Sequence, residues 1–262
     1  MSSFASILVP QKGRVHSGRL EDVARAAEPG TAERQAVALE PWPRRVVVLV
    51  ASTLGAKVDA GRDAVQQWLE EGGAAGDAAV VHVDGGRTSS DAAEQPVGQL
   101  GTARACANRA AHLRERAAAA AEAHEADLVV CVSLENGVVM HRGADGMAGV
   151  ANLGEAFVDE DENTVWMDRT CATVELVRDG DVVRTLRAWS RGVPLPLDVI
   201  AEARDATPGD YAHDATGWAT TCGEVIQRKF NLDRQTWHEA VAGESRAALM
   251  REAVHLALTT PL

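Results

Sequence analysis

The chain has 262 residues and a mass of 27.7 kDa, and 46% of its residues are hydrophobic, which is enough for one large domain with a buried core. Its formal net charge of −12 excludes a general affinity for nucleic acid or anionic membranes, so any phosphate site needs local cations, backbone N–H groups or a divalent metal. No apolar run predicts a membrane-spanning helix, and the four cysteines lack CxxC spacing, so we expect a cytoplasmic protein without a zinc site.

The N-terminal segment differs in composition from the rest of the chain. Residues 1–43 are rich in Gly, Pro, Arg and Glu and have no sustained hydrophobic periodicity. We therefore predict an N-terminal extension there, followed by one α/β domain over residues 44–262.

The first half of that domain reads as alternating strands and helices. Short apolar runs at residues 45–51, 78–83 and 128–134 are typical of strands that are buried on both faces. Between them, apolar residues recur with helical spacing over residues 57–71 and 102–124. This order predicts a β-α-β-α-β unit with a parallel sheet.

The second half predicts a hairpin and two helices. Strand-like residues 165–177 and 182–189 flank a turn sequence with Asp and Gly, and residues 197–204 and 245–258 have helical patterns. The Gly-, Asp- and Glu-rich residues 136–162 predict an exposed insertion. The whole domain is therefore expected to be a mixed β-sheet with helices on its faces.

A polar loop joins the first predicted strand to the first predicted helix. It reads Ser52-Thr53-Leu54-Gly55-Ala56-Lys57 and combines two hydroxyls, a Gly that permits close backbone approach, and one Lys. Ligands of open α/β sheets bind beyond the carboxyl ends of the strands, and free N–H groups at a helix start attract anions. The loop therefore predicts an anion site, although Ser52 and Thr53 fit a simple helix cap equally well. It lacks the P-loop spacing.

Several carboxylates lie at the ends of the predicted strands. Asp84 ends the second strand, Glu125 and Asp127 precede the third, and Glu135 follows it. Carboxylate oxygens together with substrate phosphates are preferred ligands of Mg²⁺, so these acids near an anion loop indicate metal-assisted phosphoryl chemistry. Taken one at a time, each also fits an ordinary turn or surface acid. Asp168 is an acid at a half-buried strand position, where it equally fits the polar face of that strand.

Taken together, these segments resemble the inosine/xanthosine triphosphatase family, whose members remove deaminated purine nucleotides. The resemblance runs from about Val46 to the C-terminus. The matching elements, in chain order, are the loop Ser52 to Lys57, Asp84, Glu94-Gln95-Pro96-Val97-Gly98, Asn108-Arg109, Ala126-Asp127, Leu134-Glu135-Asn136-Gly137, Trp166-Met167-Asp168, Pro194-Leu195-Pro196-Leu197 and a final helix from Arg246 to Leu258. Each match is short, and their shared order carries the resemblance.

The resemblance implies an elongated mixed β-sheet flanked by helices, with a central cleft. It also implies a homodimeric enzyme that hydrolyses ITP or XTP to the diphosphate and phosphate with Mg²⁺ or Mn²⁺. The residues it implies for substrate binding are Ser52, Thr53, Gly55, Ala56, Lys57, Asn108, Arg109 and Arg246. It implies Asp84 and an acid at Glu125 or Asp127 as metal ligands. Lys57 and Glu135 are the implied catalytic residues, and Glu135 is also a candidate for the metal or for orienting water.

The sequence departs from the family at two places that bear on activity. The loop has Leu54-Gly55 where the family has Asn-Pro, and Leu100-Gly101 replaces an acidic pair after the Glu-Gln-Pro motif. A catalytically inactive nucleotide-binding or protein-interaction module is therefore the alternative to a hydrolase. A dinucleotide-dependent oxidoreductase is disfavoured, because no GxGxxG motif follows a predicted strand.

Overall fold

The computed structural model describes residues 43–72, 79–84, 90–142, 157–159 and 164–260, with side chains for 43–72, 90–141, 157 and 164–260. The predicted N-terminal extension, except for Pro43, lies outside these residues. The strands are β1 Arg45–Val50, β2 Ala79–Asp84, β3 Gln95–Pro96, β4 Leu128–Arg142, β5 Val158–Asp159, β6 Thr164–Arg178, β7 Asp181–Trp189, β8 Val193–Pro194 and β9 Gly217–Trp218. The helices are α1 Gly55–Glu71, α2 Gly98–His124, α3 Leu197–Asp205, α4 Cys222–Phe230, α5 Trp237–Ala242 and α6 Arg246–Thr259, with a short 3₁₀ helix at Asp214–Thr216.

A mixed sheet forms the centre of the domain. Its strand order is β2-β1-β4-β6-β5, and β7 and β8 also pair with β6. Strand β1 is parallel to both β2 and β4, whereas β6 is antiparallel to β4 and β7. The predicted α/β class, with a mixed sheet flanked by helices, is therefore confirmed.

The β1 strand is buried on both faces, as its unbroken apolar run predicted. Val46, Val48 and Val50 share one core with Trp68 of α1 and Met250 of α6. Their neighbours in sequence, Val47 and Leu49, pack instead with Leu113 of α2. Successive side chains of a strand point to opposite faces, so α1 and α6 cover one face of the sheet and α2 covers the other.

The strand β4 is longer than predicted. It continues to Arg142 and stays paired with β6 from Val129–Val177 to Arg142–Thr164. The predicted insertion over residues 136–162 is therefore wrong at its start, because Asn136 and Val138 are buried in the sheet. The ladder bonds to β6 satisfy the backbone of this Gly-containing stretch, which carries little apolar periodicity of its own. The remainder, residues 143–156 and 160–163, lies outside the described residues.

A glycine of β4 allows α2 to lie close to the sheet. A Cβ atom at Gly137 would stand 1.9 Å from Thr102 Oγ1 and 2.8 Å from Thr102 Cγ2. Thr102 is itself fully buried in α2, and its hydroxyl donates to the carbonyl of Gly98. The contact therefore fixes the start of α2 against the middle of β4.

A second apolar cluster closes the far end of the sheet. It joins Val138 of β4 to Leu195, Ile226 and Trp237 from the C-terminal segments. The α4 helix in this cluster begins with a capping box between Thr221 and Glu224, which explains its sharp start. None of the helices in the described ranges is long and apolar enough to cross a membrane.

Candidate functional site

The carboxyl ends of the parallel strands meet at one edge of the sheet. Val50 pairs with Asp84 of β2 and with Val132 of β4, so these three positions lie side by side. The loop that follows β1 therefore lies beside the part of β4 that contains Glu135. The side chain of Asp84 is outside the described ones, and only its backbone position supports a place here.

The loop after β1 leaves the start of α1 open. The N-cap residue of α1 is Leu54, which makes no side-chain cap, and the Ser52 hydroxyl instead accepts the Leu54 N–H at 3.0 Å. Thr53, Gly55 and Ala56 are exposed. The first N–H groups of a helix have no intrahelical acceptor, so this loop directs polar backbone toward solvent, as the anion-site interpretation requires.

Lys57 is the cation of this loop. Its Nζ donates to the carbonyl of Leu134 at 2.8 Å, which brings the ammonium from α1 to the middle of β4. Burial lowers the pKa of Lys57, the charge of Glu135 opposes that shift, and the charges of Arg246 and Arg109 add to it. Lys57 thus lies within electrostatic reach of Glu135, Arg246 and Arg109.

Glu135 is held by α2. Its Oε2 accepts from Arg109 Nε at 2.6 Å, and both side chains are mostly buried, at 12% and 19% exposure. The neighbouring Asn108 has a different partner, because its side-chain amide donates to the carbonyl of Ser90 at 2.9 Å. Arg109 therefore lies with Lys57 and Glu135, whereas Asn108 anchors the segment that precedes the Glu-Gln-Pro motif.

The Glu-Gln-Pro motif is fixed by the C-terminal segments. Gln95 is buried and accepts the N–H of Cys222 at the start of α4, at 3.0 Å. Strand β3 pairs with β9, where a Cβ atom at Gly217 would stand 2.0 Å from the carbonyl oxygen of Gln95. This close approach and its φ of +151° make glycine necessary at position 217.

A polar cavity of about 210 Å³ opens beside Glu135. Its wall includes Asn136, Asp168, His238 and Arg246. His238 Nε2 lies 2.7 Å from Asp168 Oδ2, and the two side chains are 1% and 11% exposed. Burial raises the pKa of Asp168, but His238, Arg246 and Asn136 outweigh burial and hold it below its usual value.

His238 is a site residue that sequence reasoning missed. It lies in α5, whose sequence WHEAVA is short and has no motif around it. The available signal was the half-buried Asp168, because a buried carboxylate requires a cationic or hydrogen-bonding partner. That partner comes from a segment 70 residues later in the chain, so local pattern could not identify it.

The structure does not bring Glu125 and Asp127 to this edge, which corrects their assignment as metal ligands. Both precede β4 and therefore lie at the opposite, amino end of the parallel strands. Asp127 Oδ2 accepts the N–H groups of Arg44 and Arg45 at 2.8 and 3.1 Å. Glu125 is the C-cap of α2 and pairs with the Arg45 side chain at 3.2 Å, with 86% of its side chain exposed.

Replacement of Asp127 with Ala is therefore expected to affect stability alone. It removes the acceptor for two backbone N–H groups, which should lower the free energy of unfolding by about 1 kcal/mol. Urea unfolding measures this loss, and phosphate release from ITP should stay at the wild-type rate. A loss of phosphate release in a folded variant would restore the metal assignment.

The two departures from the family do not obstruct the cavity. Leu54 is 40% exposed and Leu100 is 89% exposed, so neither side chain closes the edge of the sheet. Among the side chains that the structure describes, no group of three or more His, Cys, Asp and Glu residues lies close enough to hold a metal ion alone. A metal at this edge would need further oxygen ligands, such as substrate phosphates.

No protein-family model matches the chain. Among solved structures, the crystal structure of protein VC0702 from Vibrio cholerae is similar at 19% sequence identity and a TM-score of 0.44, covering 81% of this chain and 87% of that chain.

Proposed function

We propose that this protein hydrolyses deaminated purine nucleoside triphosphates, ITP and XTP, to the diphosphate and phosphate with a divalent metal ion. The observation that carries the proposal is the convergence of Lys57, Arg109 and Arg246 around Glu135 at the carboxyl edge of the sheet. These residues come from separate motifs of the family resemblance. The homodimer that the resemblance implies and the cytoplasmic location that the composition predicts stay predictions.

The charge distribution supports a polyanionic substrate. The whole chain carries a formal charge of −12, yet Lys57 lies within electrostatic reach of both Arg109 and Arg246 at this edge, where Glu135 and Asp168 are the nearby acids. Cations close together repel one another, so such a cluster is stabilised when an anion binds between them. The open start of α1 adds backbone N–H groups to the same side.

The carboxylates at this edge suit a metal ion that is also coordinated by the phosphates of the substrate. Mg²⁺ is usually bound by one or two carboxylates together with substrate phosphates and water. Asp84 at the end of β2 and Glu135 within β4, on the two strands that flank β1, are the carboxylates that would hold it. When bound, Mg²⁺ or Mn²⁺ supplies polarisation of the phosphate and a lower pKa for a bound water.

The residues of the chain then have separate tasks. Lys57 and the N–H groups of Gly55 and Ala56 would neutralise charge that develops on the phosphates. The Glu135 carboxylate, fixed by Arg109, would orient the attacking water or hold the metal. Because these groups lie on rigid elements, they need little rearrangement when substrate binds.

Phosphate release from ITP, XTP and GTP in the presence of Mg²⁺ tests the proposal. We expect turnover of ITP and XTP by the wild-type protein and a loss of about 100-fold or more in Glu135→Gln. The matched control is Glu175→Gln, since Glu175 of β6 is paired with Arg114 of α2 just as Glu135 of β4 is paired with Arg109 of α2. No release above that of Glu135→Gln would contradict a hydrolase.

The second candidate is a catalytically inactive nucleotide-binding or protein-interaction module. It is supported by the internal partners of the two catalytic candidates, since Lys57 bonds to Leu134 and Glu135 to Arg109. The replacement Leu54-Gly55 also removes a side-chain amide from the loop. Thermal stabilisation by ITP with Mg²⁺, without phosphate release, would favour a binding module, and the absence of both would favour a structural role.

A further inference from the structure

Two of the four cysteines are in contact with each other. Cys106 of α2 and Cys171 of β6 are both fully buried, and the Cys106 sulfur lies 3.4 Å from the carbonyl oxygen of Cys171. Their thiols are also hydrogen-bond partners. Cys131 and Cys222 lie in two separate apolar clusters. The four cysteines, all within the described residues, thus include one contacting pair.

The close approach of α2 to the sheet brings these two thiols together. A disulfide requires Cα atoms about 4.4–6.8 Å apart, so the two backbones must come close. Gly137 leaves room for Thr102, and Cys106 lies about one turn after Thr102 in α2. In the sheet, Gly137 pairs with Arg169, which is two residues before Cys171 and on the same face of β6. The contact that Gly137 permits therefore also brings Cys106 close to β6.

The surroundings of the pair give its two thiols different reactivity. Burial raises the pKa of Cys106, but hydrogen bonding, chiefly with the Cys171 thiol, outweighs burial and lowers it. The same contact raises the pKa of Cys171, and burial raises it further. Lys57 lies within electrostatic reach of Cys106, and a nearby ammonium favours the thiolate. Cys106 is therefore the thiol that ionises first, and Cys171 stays protonated beside it.

The pair lies next to the contact between Arg109 and Glu135. Cys171 is the cross-strand partner of Glu135 in the β4–β6 ladder. Arg109 follows Cys106 by three residues, which is close to one turn of α2. A covalent bond between the two sulfurs would therefore connect α2 to β6 beside the candidate site.

We propose that Cys106 and Cys171 form a redox pair, which a peroxide oxidises to a reversible disulfide that holds α2 on β6. The Cys106 thiolate attacks one peroxide oxygen and breaks the O–O bond, which gives a sulfenic acid and, from hydrogen peroxide, hydroxide. The Cys171 sulfur then attacks the Cys106 sulfur, and the sulfenic oxygen leaves as water with the Cys171 proton. The two sulfurs lose two electrons and the peroxide gains them. The proposal is separate from nucleotide hydrolysis, because no step involves a nucleotide.

The experiment treats the full native chain with hydrogen peroxide, which is small enough to reach the pair through a local opening of α2. The protein is then denatured, its free thiols are alkylated, and the disulfides are mapped by peptide mass spectrometry. We expect a Cys106–Cys171 disulfide, with Cys131 and Cys222 alkylated. Dithiothreitol should restore all four thiols. The oxidised protein should melt about 5 °C or more above the reduced protein, because the disulfide closes a long loop.

The test variant is Cys171→Ala, which removes the thiol that attacks the sulfenic acid. Peroxide should leave this variant without a disulfide and without a rise in melting temperature. Cys131→Ala is the matched control, since Cys131 is also a fully buried thiol of the sheet. It should form the disulfide as the wild-type protein does. Near-ultraviolet circular dichroism checks that each variant is folded before oxidation.

The wild-type map decides the proposal even if a variant fails to fold. Four free thiols after peroxide treatment would overturn the proposal, as would a disulfide that involves Cys131 or Cys222. Oxidation of Cys106 that dithiothreitol does not reverse would also overturn it. A Cys106–Cys171 disulfide without a higher melting temperature would show that the bond does not hold α2 on β6. A protein that fails to hydrolyse ITP would leave all of these results unchanged.

Discussion

Replacing Lys57 with Met is expected to reduce kcat/KM for ITP by about 100- to 1,000-fold. This is the usual effect of removing one preorganised group that stabilises charge developing in a transition state. Met keeps the long unbranched side chain but lacks the ammonium that lies among Glu135, Arg109 and Arg246. The measurement is steady-state phosphate release with Mg²⁺. A decrease in affinity without a change in kcat would instead show that Lys57 binds ground state and transition state equally.

The pH dependence of the same reaction gives a second test of Lys57. Burial and the nearby arginines lower the pKa of Lys57 below the ordinary lysine value of 10.5, so Lys57 should lose its charge at a lower pH than an exposed lysine does. We therefore expect kcat/KM to fall on the alkaline side of the profile, at a midpoint below 10.5. Lys57→Arg should remove this decline, because a guanidinium stays protonated there. An unchanged alkaline limb in Lys57→Arg would assign it to another group.

Replacing Gly137 with Ala is expected to destabilise the fold by about 1–3 kcal/mol, the usual cost of forcing extra volume into a packed interior. The new Cβ atom would stand 1.9 Å from Thr102 Oγ1, so α2 has to move away from β4. Urea unfolding followed by circular dichroism measures the loss. Since α2 carries Arg109, the same displacement should weaken the Arg109–Glu135 contact and lower phosphate release.

The control for Gly137 is a glycine with free space around it. A Cβ atom at Gly180, in the β6–β7 turn, would meet nothing within 4 Å, but its φ of +87° disfavours Ala there for a separate reason. Gly55, which also meets nothing within 4 Å and has helical geometry, is therefore the better control for stability. Equal stability losses in Gly137→Ala and Gly55→Ala would show that the Thr102 contact is not the cause.

Much of the fold followed from local pattern. The apolar run at residues 45–51 predicted a strand buried on both faces, and β1 is such a strand between β2 and β4. The turn after residue 177 predicted the β6–β7 hairpin. These predictions succeeded because periodicity and turn chemistry depend on residues that are adjacent in sequence.

Other features depend on distant segments and could not be predicted in this way. The second half of β4 has Gly and polar residues, and only the long pairing with β6 makes it a strand. The acids Glu125 and Asp127 lie near Glu135 in sequence, but β4 places them at opposite ends of the sheet. His238 reaches Asp168 across 70 residues. Motif spacing alone does not distinguish the two ends of a strand.

Successive side chains of β4 point to opposite faces of the sheet within the candidate site. Glu135 lies on the face covered by α2 and pairs with Arg109, while the next residue, Asn136, lies on the other face with Leu134. A slip of β4 against its neighbours by one residue would exchange these two faces. Shortening β4 by a single residue before Glu135 should therefore turn Glu135 away from Arg109, although every chemical group would still be present.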